Sequence, residues 1–140
     1  MNELVDELRE KNEDRFGSVE LPDLDLLVEI EEQILISLPK ELKELLLNVS
    51  DVIYGSIEPV TASDPQLHTY LPEVAAVAWD QGVPREFIPI CQYRDNFFLV
   101  SQEGDVSYWV DGEMHEKEWD SIWNWVDDVW LNGNIPEQTY

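Results

Sequence analysis

The sequence predicts one α+β domain over residues 1–140, with an antiparallel sheet of at least four strands flanked by helices. Apolar residues recur at helical spacing up to about residue 50, and their pattern becomes strand-like across 86–110. A chain of 140 residues is long enough to bury one core of its own. This order of elements is typical of α+β proteins: helices come first, consecutive strands with short turns follow, and another helix ends the chain.

Three helices are predicted before about residue 50. The first covers residues 2–13, Asp23 or Asp25 caps the second, and Ser37 is a plausible N-cap for the third. Pro39 fits the first turn of the third helix, where its missing N–H costs nothing. Each helix has one apolar face, formed in chain order by Leu4, Val5 and Leu8, by Leu26, Leu27, Ile30 and Ile34, and by Leu42, Leu45 and Leu46.

The middle of the chain changes from strand-like to helical. Residues 51–62 have a strand-like composition that Gly55 and Pro59 interrupt. A fourth helix is predicted around 72–79, and Gly82 ends it.

A meander of three strands follows, at 86–93, 96–101 and 105–110. The intervening turns contain Arg94-Asp95 and Glu103-Gly104, and Asp111-Gly112 closes the third strand in the same way. Glycine tolerates the positive φ that such turns require.

A final helix is predicted at 117–131. One helical face contains Trp119, Ile122, Trp123, Val126 and Trp130. Trp125 lies off this face, so we expect it to be partly exposed. The side chains expected to be largely buried are Trp119, Ile122, Trp123, Val126, Phe87, Ile88, Ile90, Leu99 and Leu46.

The chain is strongly acidic. Eight Lys and Arg stand against 31 Asp and Glu, which gives a formal net charge of −23. Such a charge repels nucleic acids and anionic membrane surfaces, so we expect neither as a ligand. Basic proteins are the partners that this charge favours. The alternative is that the acidity serves only solubility or adaptation to salt.

The single cysteine and the N-terminus predict a cytoplasmic protein. Cys91 cannot form an internal disulfide and lies in an apolar run, so a buried, inert thiol is expected. No apolar run approaches the roughly 20 residues that span a bilayer. The charged N-terminus also lacks the apolar block of a signal peptide.

No motif in the sequence indicates catalysis, a metal site or a cofactor. His115 begins the run HEKEW, which lacks the second histidine of a zinc-binding HExxH motif, and His68 is in no recognised motif. Nucleophile elbows and glycine-rich phosphate loops are also missing. With 31 acidic residues, the sequence alone cannot nominate a catalytic pair of carboxylates. We therefore expect a non-enzyme without cofactor or metal.

The candidate functional residues form a protein-binding set. Asp127 and Asp128 are predicted in the last turns of a helix, where the helix dipole disfavours negative charge. Further carboxylates occupy the turns of the meander with only Arg94 as a basic neighbour, and a basic partner would relieve their repulsion. The acidic candidates are Asp95, Glu103, Asp105, Asp111, Glu113, Asp127 and Asp128. Trp125 and Tyr93 are the candidate aromatic anchors.

The order of motifs resembles the SUKH superfamily, the Smi/Knr-type proteins named after fungal cell-wall assembly regulators. The matching features are, in order, Ile30-Glu31, the LPKELKELLL segment from Leu38, Val52-Ile53-Tyr54-Gly55, Gly82-Val83-Pro84, Phe87-Ile88-Pro89-Ile90, Glu103-Gly104-Asp105 and a late Trp-bearing helix. The turn after the FIP-type strand is shorter here than the glycine-rich turn of many members.

The resemblance implies a non-catalytic protein-binding fold. Bacterial members of the superfamily are similar to immunity proteins, which bind and neutralise toxins, often nucleases. Fungal members are similar to regulatory scaffolds. An immunity protein for a basic toxin is therefore the leading hypothesis, and an intracellular regulatory scaffold is the alternative.

Overall fold

The computed structural model describes residues 3–13 and 20–136, and it confirms the α+β prediction. Within these residues, four helices precede a four-stranded antiparallel sheet and one helix follows it. The helices before the sheet are α1 (Glu3–Lys11), α2 (Leu24–Ile34), α3 (Lys40–Val49) and α4 (Leu71–Asp80). The strands are β1 (Ile88–Tyr93), β2 (Asn96–Val100), β3 (Val106–Val110) and β4 (Glu113–Trp119).

The last helix changes type along its length. α5 (Ile122–Trp125) continues directly into a π-helical segment, Val126–Leu131, and the two together are here named the final helix. Ser121 caps it, since its hydroxyl oxygen accepts a hydrogen bond from the Asn124 N–H at 3.1 Å.

The strands form a meander in the order β1-β2-β3-β4, with each neighbouring pair antiparallel. The turns at Arg94-Asp95 and Asp111-Gly112 therefore lie at the same end of the sheet, here named the hairpin end. The β2–β3 connection, residues 101–105, lies at the opposite end, here named the β2–β3 end. A strand of five residues separates the two ends by roughly 17 Å.

The fourth strand lies partly where the sequence pattern indicated a helix. Glu113–Trp119 pairs with β3, so the helix predicted at 117–131 is wrong over its first residues and begins at Ile122. β4 is an edge strand with mostly exposed side chains, so it lacks the apolar alternation that identifies a half-buried strand. Trp119, the buried residue that ends β4, produced the apparent helical spacing.

A bulge interrupts the β3–β4 ladder. Ser107 pairs with Glu118 and Trp109 pairs with Met114, so three residues of β4, 115–117, lie opposite Tyr108 alone. The Lys117 N–H donates to Nδ1 of His115 at 3.0 Å inside the bulge. Bulges and charged side chains are two ways in which proteins prevent edge strands from pairing with other chains.

Residues 51–62 form isolated bridges instead of a strand. Pro59 bridges to Cys91, and the Val60 N–H donates to the Ile90 carbonyl oxygen at 2.9 Å. This segment therefore covers the outer edge of β1. Burial raises the pKa of the Cys91 thiol to about 12, so the thiol stays protonated and unreactive at neutral pH.

Both faces of the sheet are covered, because every side chain of β2 is buried. The Phe98 ring stacks on Tyr108 at 4.3 Å and lies 5.3 Å from Trp125, which places the final helix on that face. Phe97 and Trp109 point to the other face, where Trp109 approaches the turn at Gly82 after α4. α4 packs on β1, α2 packs on α4, and α1 and α3 pack against the final helix.

The burial of the predicted core is confirmed at most positions. Trp119, Ile122, Val126, Ile88, Ile90, Leu99 and Leu46 are buried. Phe87 and Trp123 are only partly buried. The Trp123 indole reaches the helix surface, where its N–H donates to Oε1 of Glu44 at 3.1 Å.

The predicted helix ends are confirmed in part. Asp23, rather than Asp25, caps α2, accepting from the Leu26 N–H at 2.9 Å. Ser37 is not the cap of α3, because Pro39 takes the N-cap position without a side-chain hydrogen bond. Gly82 follows α4 with a φ of 112°, which glycine adopts without strain.

Candidate protein-binding surface

The sequence-predicted binding residues do not share one face. Tyr93, Asp95, Asp111 and Glu113 lie at the hairpin end, in or beside its two turns. Glu103 and Asp105 lie in the connection at the β2–β3 end. Trp125, Asp127 and Asp128 belong to the final helix. The structure therefore brings four of the nine together in the sheet.

The expectation that Trp125 is partly exposed is wrong. Its side chain is fully buried and packs against Phe98, so it cannot contact a partner in this conformation. Because Trp119 belongs to β4, the buried face of the final helix differs from the face predicted from Trp119. The buried face of the final helix consists of Ile122, Trp125, Val126, Val129 and Trp130.

Asp128 is engaged within the fold. The Trp119 indole N–H donates to Oδ2 of Asp128 at 2.7 Å, and the Asn134 amide donates to Oδ1 at 2.9 Å. These hydrogen bonds, with the nearby Lys117 charge, hold the pKa of Asp128 below its usual value, the Trp119 bond contributing most. The unfavourable helix dipole at Asp128 is therefore compensated inside the chain, without a partner. Asp127 is exposed, and no side-chain partner in the described residues engages its carboxylate.

Asp105 is also engaged within the fold. The Ser101 hydroxyl donates to its carboxylate, and the Ser101 N–H donates to its carbonyl oxygen at 3.0 Å. These bonds close the β2–β3 connection. Glu103 in the same loop is exposed, and its backbone N–H donates to Oγ of Ser101 at 3.2 Å.

The carboxylates at the hairpin end are free. Asp95, Asp111 and Glu113 are exposed, and no hydrogen bond or ion pair to them occurs among the described residues. The two turns lie about 10 Å apart, since two strand spacings of about 4.8 Å separate them. That distance slightly exceeds the Debye length of about 8 Å at physiological salt, so the repulsion between the two turns is largely screened. A ligand broad enough to reach both turns would nevertheless contact the charges of both.

Tyr93 provides an aromatic surface beside these charges. Its ring is partly buried, and the Arg94 guanidinium lies 5.2 Å from the ring centroid. Arg94 has a φ of 57° in the tight β1–β2 turn. Arg94 contributes one positive charge against the three carboxylates of the hairpin end, so the net charge of this surface is negative.

A cleft adjoins the hairpin end, with a volume of about 290 Å³. Its lining contains Gln92 and Arg94 from the β1–β2 hairpin and Glu58 and His68 from the segment beside β1. Nε2 of His68 lies 3.1 Å from Oε2 of Glu58, but both side chains are mostly exposed, at 75% and 63%. The sequence does not reveal this cleft, because no local pattern indicates that residues 58 and 92 are neighbours.

Across residues 3–13 and 20–136, every helix lacks the length and apolar character needed to span a bilayer. The same residues contain no group of three or more His, Cys, Asp or Glu side chains placed to hold a metal ion.

These observations define an α+β domain with a helix-flanked meander and an acidic surface formed by turns. A model of the SMI1-KNR4 cell-wall family, SUKH_5, matches residues 1–131, and the chain belongs to this family. The crystal structure of a protein from Pseudomonas syringae pv. tomato is similar, with 55% sequence identity, a TM-score of 0.90 and coverage of 94% of this chain and 99% of that chain. No curated protein matches the chain.

Family membership confirms the resemblance to the SUKH superfamily. It supports a non-catalytic domain of the immunity-like or regulatory kind, with a protein as its partner.

Proposed function

We propose that this protein is an immunity protein that acts as one domain in the cytoplasm. It binds a basic toxin domain, such as a nuclease, and neutralises it by occupying the surface that the toxin needs for its target. The proposed contact is the hairpin end, with Asp95, Asp111 and Glu113 as the acidic residues and Tyr93 as the aromatic one.

The observation that carries this proposal is the free state of the hairpin-end carboxylates. Asp105 and Asp128 have hydrogen-bond donors within the fold, whereas Asp95, Asp111 and Glu113 have none among the described residues. Free, adjacent carboxylates repel each other, and this repulsion is relieved when Lys or Arg side chains approach. A basic toxin surface supplies such side chains.

The net charge supports the same proposal. A charge of −23 attracts a basic partner over a longer range than the hairpin end alone. Steering of this kind mainly raises the association rate, while a few central contacts determine how long the complex lasts.

The alternative is an intracellular regulatory scaffold of the Smi/Knr type. The cell-wall description of the matched family favours this alternative. Both functions require a protein partner, so the partner distinguishes them: an immunity protein protects cells from its partner, and a scaffold does not.

A pull-down from the source cell at low salt tests the proposal. One variant combines Asp95→Asn, Asp111→Asn and Glu113→Gln, here named the hairpin triple. The matched control combines Glu3→Gln, Glu7→Gln and Glu10→Gln on exposed positions of α1, here named the α1 triple, and it removes the same charge.

We expect the wild type and the α1 triple to retain a basic protein that the hairpin triple loses. Expression of that protein alone should arrest growth, and co-expression of the wild type should restore it. Capture of an acidic partner, or a partner that is harmless when expressed alone, would exclude the immunity function.

A further inference from the structure

Leu35 has an unusual position at the C-terminal end of α2. Its φ and ψ are 61° and 32°, the left-handed region, and its N–H donates to the Glu31 carbonyl oxygen at 2.9 Å. Glycine is the common residue at this position of a helix end, because a Cβ is strained there. The side chain is 82% exposed, so packing within the domain does not compensate for this strain.

Leu35 borders an open groove between α2 and α4. The groove has a volume of about 400 Å³, and its apolar lining includes Ile34, Leu35, Pro72, Ala76 and Trp79. The Trp79 indole is held in place, since its N–H donates to the Phe87 carbonyl oxygen at 2.9 Å. The groove therefore has a fixed aromatic wall beside an exposed leucine.

The charged side chains around the groove are mainly acidic. Asp80 lines it, and Glu32 and Glu73 are exposed one helical turn before Leu35 and Ala76. Arg85 also lines the groove, but its guanidinium lies 4.0 Å from the Trp79 ring centroid and donates to the Ile34 carbonyl oxygen at 2.9 Å. These neutral partners fix the position of the Arg85 guanidinium but do not cancel its charge. The rim is net negative because three carboxylates, those of Asp80, Glu32 and Glu73, stand against this one cation.

We infer that the α2–α4 groove binds a basic amphipathic helix from a partner protein. In this complex, Leu35 is the residue of the groove that contacts the apolar face of the bound helix. An apolar helix face fits a groove between two helices, and flanking Lys or Arg side chains complement the acidic rim. A second copy of this chain is a poor occupant, because it would bring another charge of −23 to the same rim. An anionic membrane is disfavoured for the same reason.

This surface is separate from the one in the proposed function. The Gln102 amide donates to the Ser37 carbonyl oxygen at 3.1 Å, which places the end of α2 beside the β2–β3 connection. The Leu35 side of the groove therefore lies near the β2–β3 end, opposite the end of the sheet that contains Asp95 and Asp111. The inference goes beyond the proposed function, and either can fail alone.

The test uses the full chain and a labelled peptide of leucine and lysine, in which the leucines line one helical face. A scrambled peptide of equal composition controls for charge. The variants are Leu35→Ala and Leu35→Gly. Leu24→Ala is the matched control, because Leu24 is an exposed leucine, at 63%, at the other end of α2. Fluorescence anisotropy measures affinity, and amide NMR shifts locate the peptide.

Both Leu35 variants should weaken binding of the amphipathic peptide about tenfold, the scale expected when a leucine contact is lost. Leu24→Ala should bind the amphipathic peptide as tightly as the wild type. The affinity for the scrambled peptide should be the same in the wild type and the Leu35 variants. Amide shifts caused by the amphipathic peptide should cluster at Ala76 and Trp79. Leu35→Gly should melt no lower than the wild type, since glycine relieves the strained conformation, so its loss of binding would not be a loss of fold.

Three outcomes would overturn the inference. The first is equal affinity of wild type and Leu35→Ala. The second is peptide shifts confined to the hairpin end, which would leave the proposed function intact. The third is a wild-type dimer in sedimentation that Leu35→Ala abolishes, which would make a second copy the occupant. If the hairpin triple loses its natural partner but still binds the amphipathic peptide, the two surfaces are independent as inferred.

Discussion

The two ends of the sheet differ in how many of their carboxylates are hydrogen-bonded within the fold, although Glu103 at the β2–β3 end is also exposed. At the β2–β3 end, Asp105 accepts from Ser101, and Glu41 accepts from the Ile122 N–H at 2.8 Å. Asp128 accepts from Trp119, whose strand ends there, at 2.7 Å. At the hairpin end, Asp95, Asp111 and Glu113 accept from no donor in the described part of the chain.

The hydrogen-bonded carboxylates have a structural role, and the free ones carry the proposed binding role. Hydrogen-bonded carboxylates join segments that are distant in sequence, as Glu41 joins α3 to the start of the final helix. Removing such a group leaves a donor without its partner, which costs free energy of unfolding. Free surface carboxylates contribute little to folding and remain available to a partner.

The largest expected effect tests the core between the final helix and the sheet. Trp125→Ala removes a fully buried indole that packs on Phe98, and it should lower the free energy of unfolding by about 3–5 kcal/mol. Denaturant melts measure the loss. Trp123→Ala is the control, since Trp123 is only partly buried, and its cost should be smaller. Equal costs would contradict the observed orientation of the final helix.

A smaller effect separates engaged from free carboxylates on one helix. Asp128→Ala removes the acceptor for Trp119 and Asn134 and should cost about 1–2 kcal/mol. Asp127→Ala removes a neighbouring exposed carboxylate and should change stability by less than about 0.5 kcal/mol. If the Asp127 variant were the less stable one, the distinction between the two residues would be lost.

The same residue predicts a pH dependence. The pKa of Asp128 is lowered by the hydrogen bond from Trp119, so its contribution to stability is present above the unfolded pKa of about 3.9. That contribution disappears as the pH falls through the lower folded pKa. Between about pH 5 and pH 2, Asp128→Ala should therefore lose less stability than the wild type. Parallel pH profiles of the two proteins would show that Trp119 does not favour the ionised form.

The smallest effect is expected at the hairpin end. The hairpin triple should change the free energy of unfolding by less than about 0.5 kcal/mol for each substitution, and relief of repulsion favours a slight gain. Chemical denaturation measures the change, and the α1 triple is the comparison. A loss of several kcal/mol would indicate contacts that hold the fold together at this end.

The part of the fold that depends on local chemistry could be predicted from the sequence. Asp23 caps its own helix and Gly104 lies in its predicted turn, because caps and turns need only neighbouring residues. Asp111-Gly112 lies in its predicted turn, and a turn of this kind also implies a strand after it. The sequence therefore contains a signal for β4, but the apparent helical spacing from Trp119 is stronger.

The candidate site could be predicted only in part. The sequence identifies the acidic turns, but which carboxylates are engaged depends on contacts such as Glu41 with Ile122, which are 81 positions apart. The sequence predicts Trp125 at the surface because its pattern places Trp119 in the same helix. Leu35 gave no signal at all, since a left-handed leucine is visible only in the backbone geometry.

Association kinetics with the captured partner test the central claim most directly, which is that the hairpin end receives a basic protein. Association rates are measured from 50 to 500 mM salt for the wild type, the hairpin triple and the α1 triple. Over this range of salt, electrostatically steered association falls from about 10⁸–10⁹ M⁻¹s⁻¹ toward unsteered values. We predict a steep salt dependence for the wild type and the α1 triple, and a slower, flatter one for the hairpin triple. Equal rates for the two triples, or rates that do not change with salt, would contradict the claim.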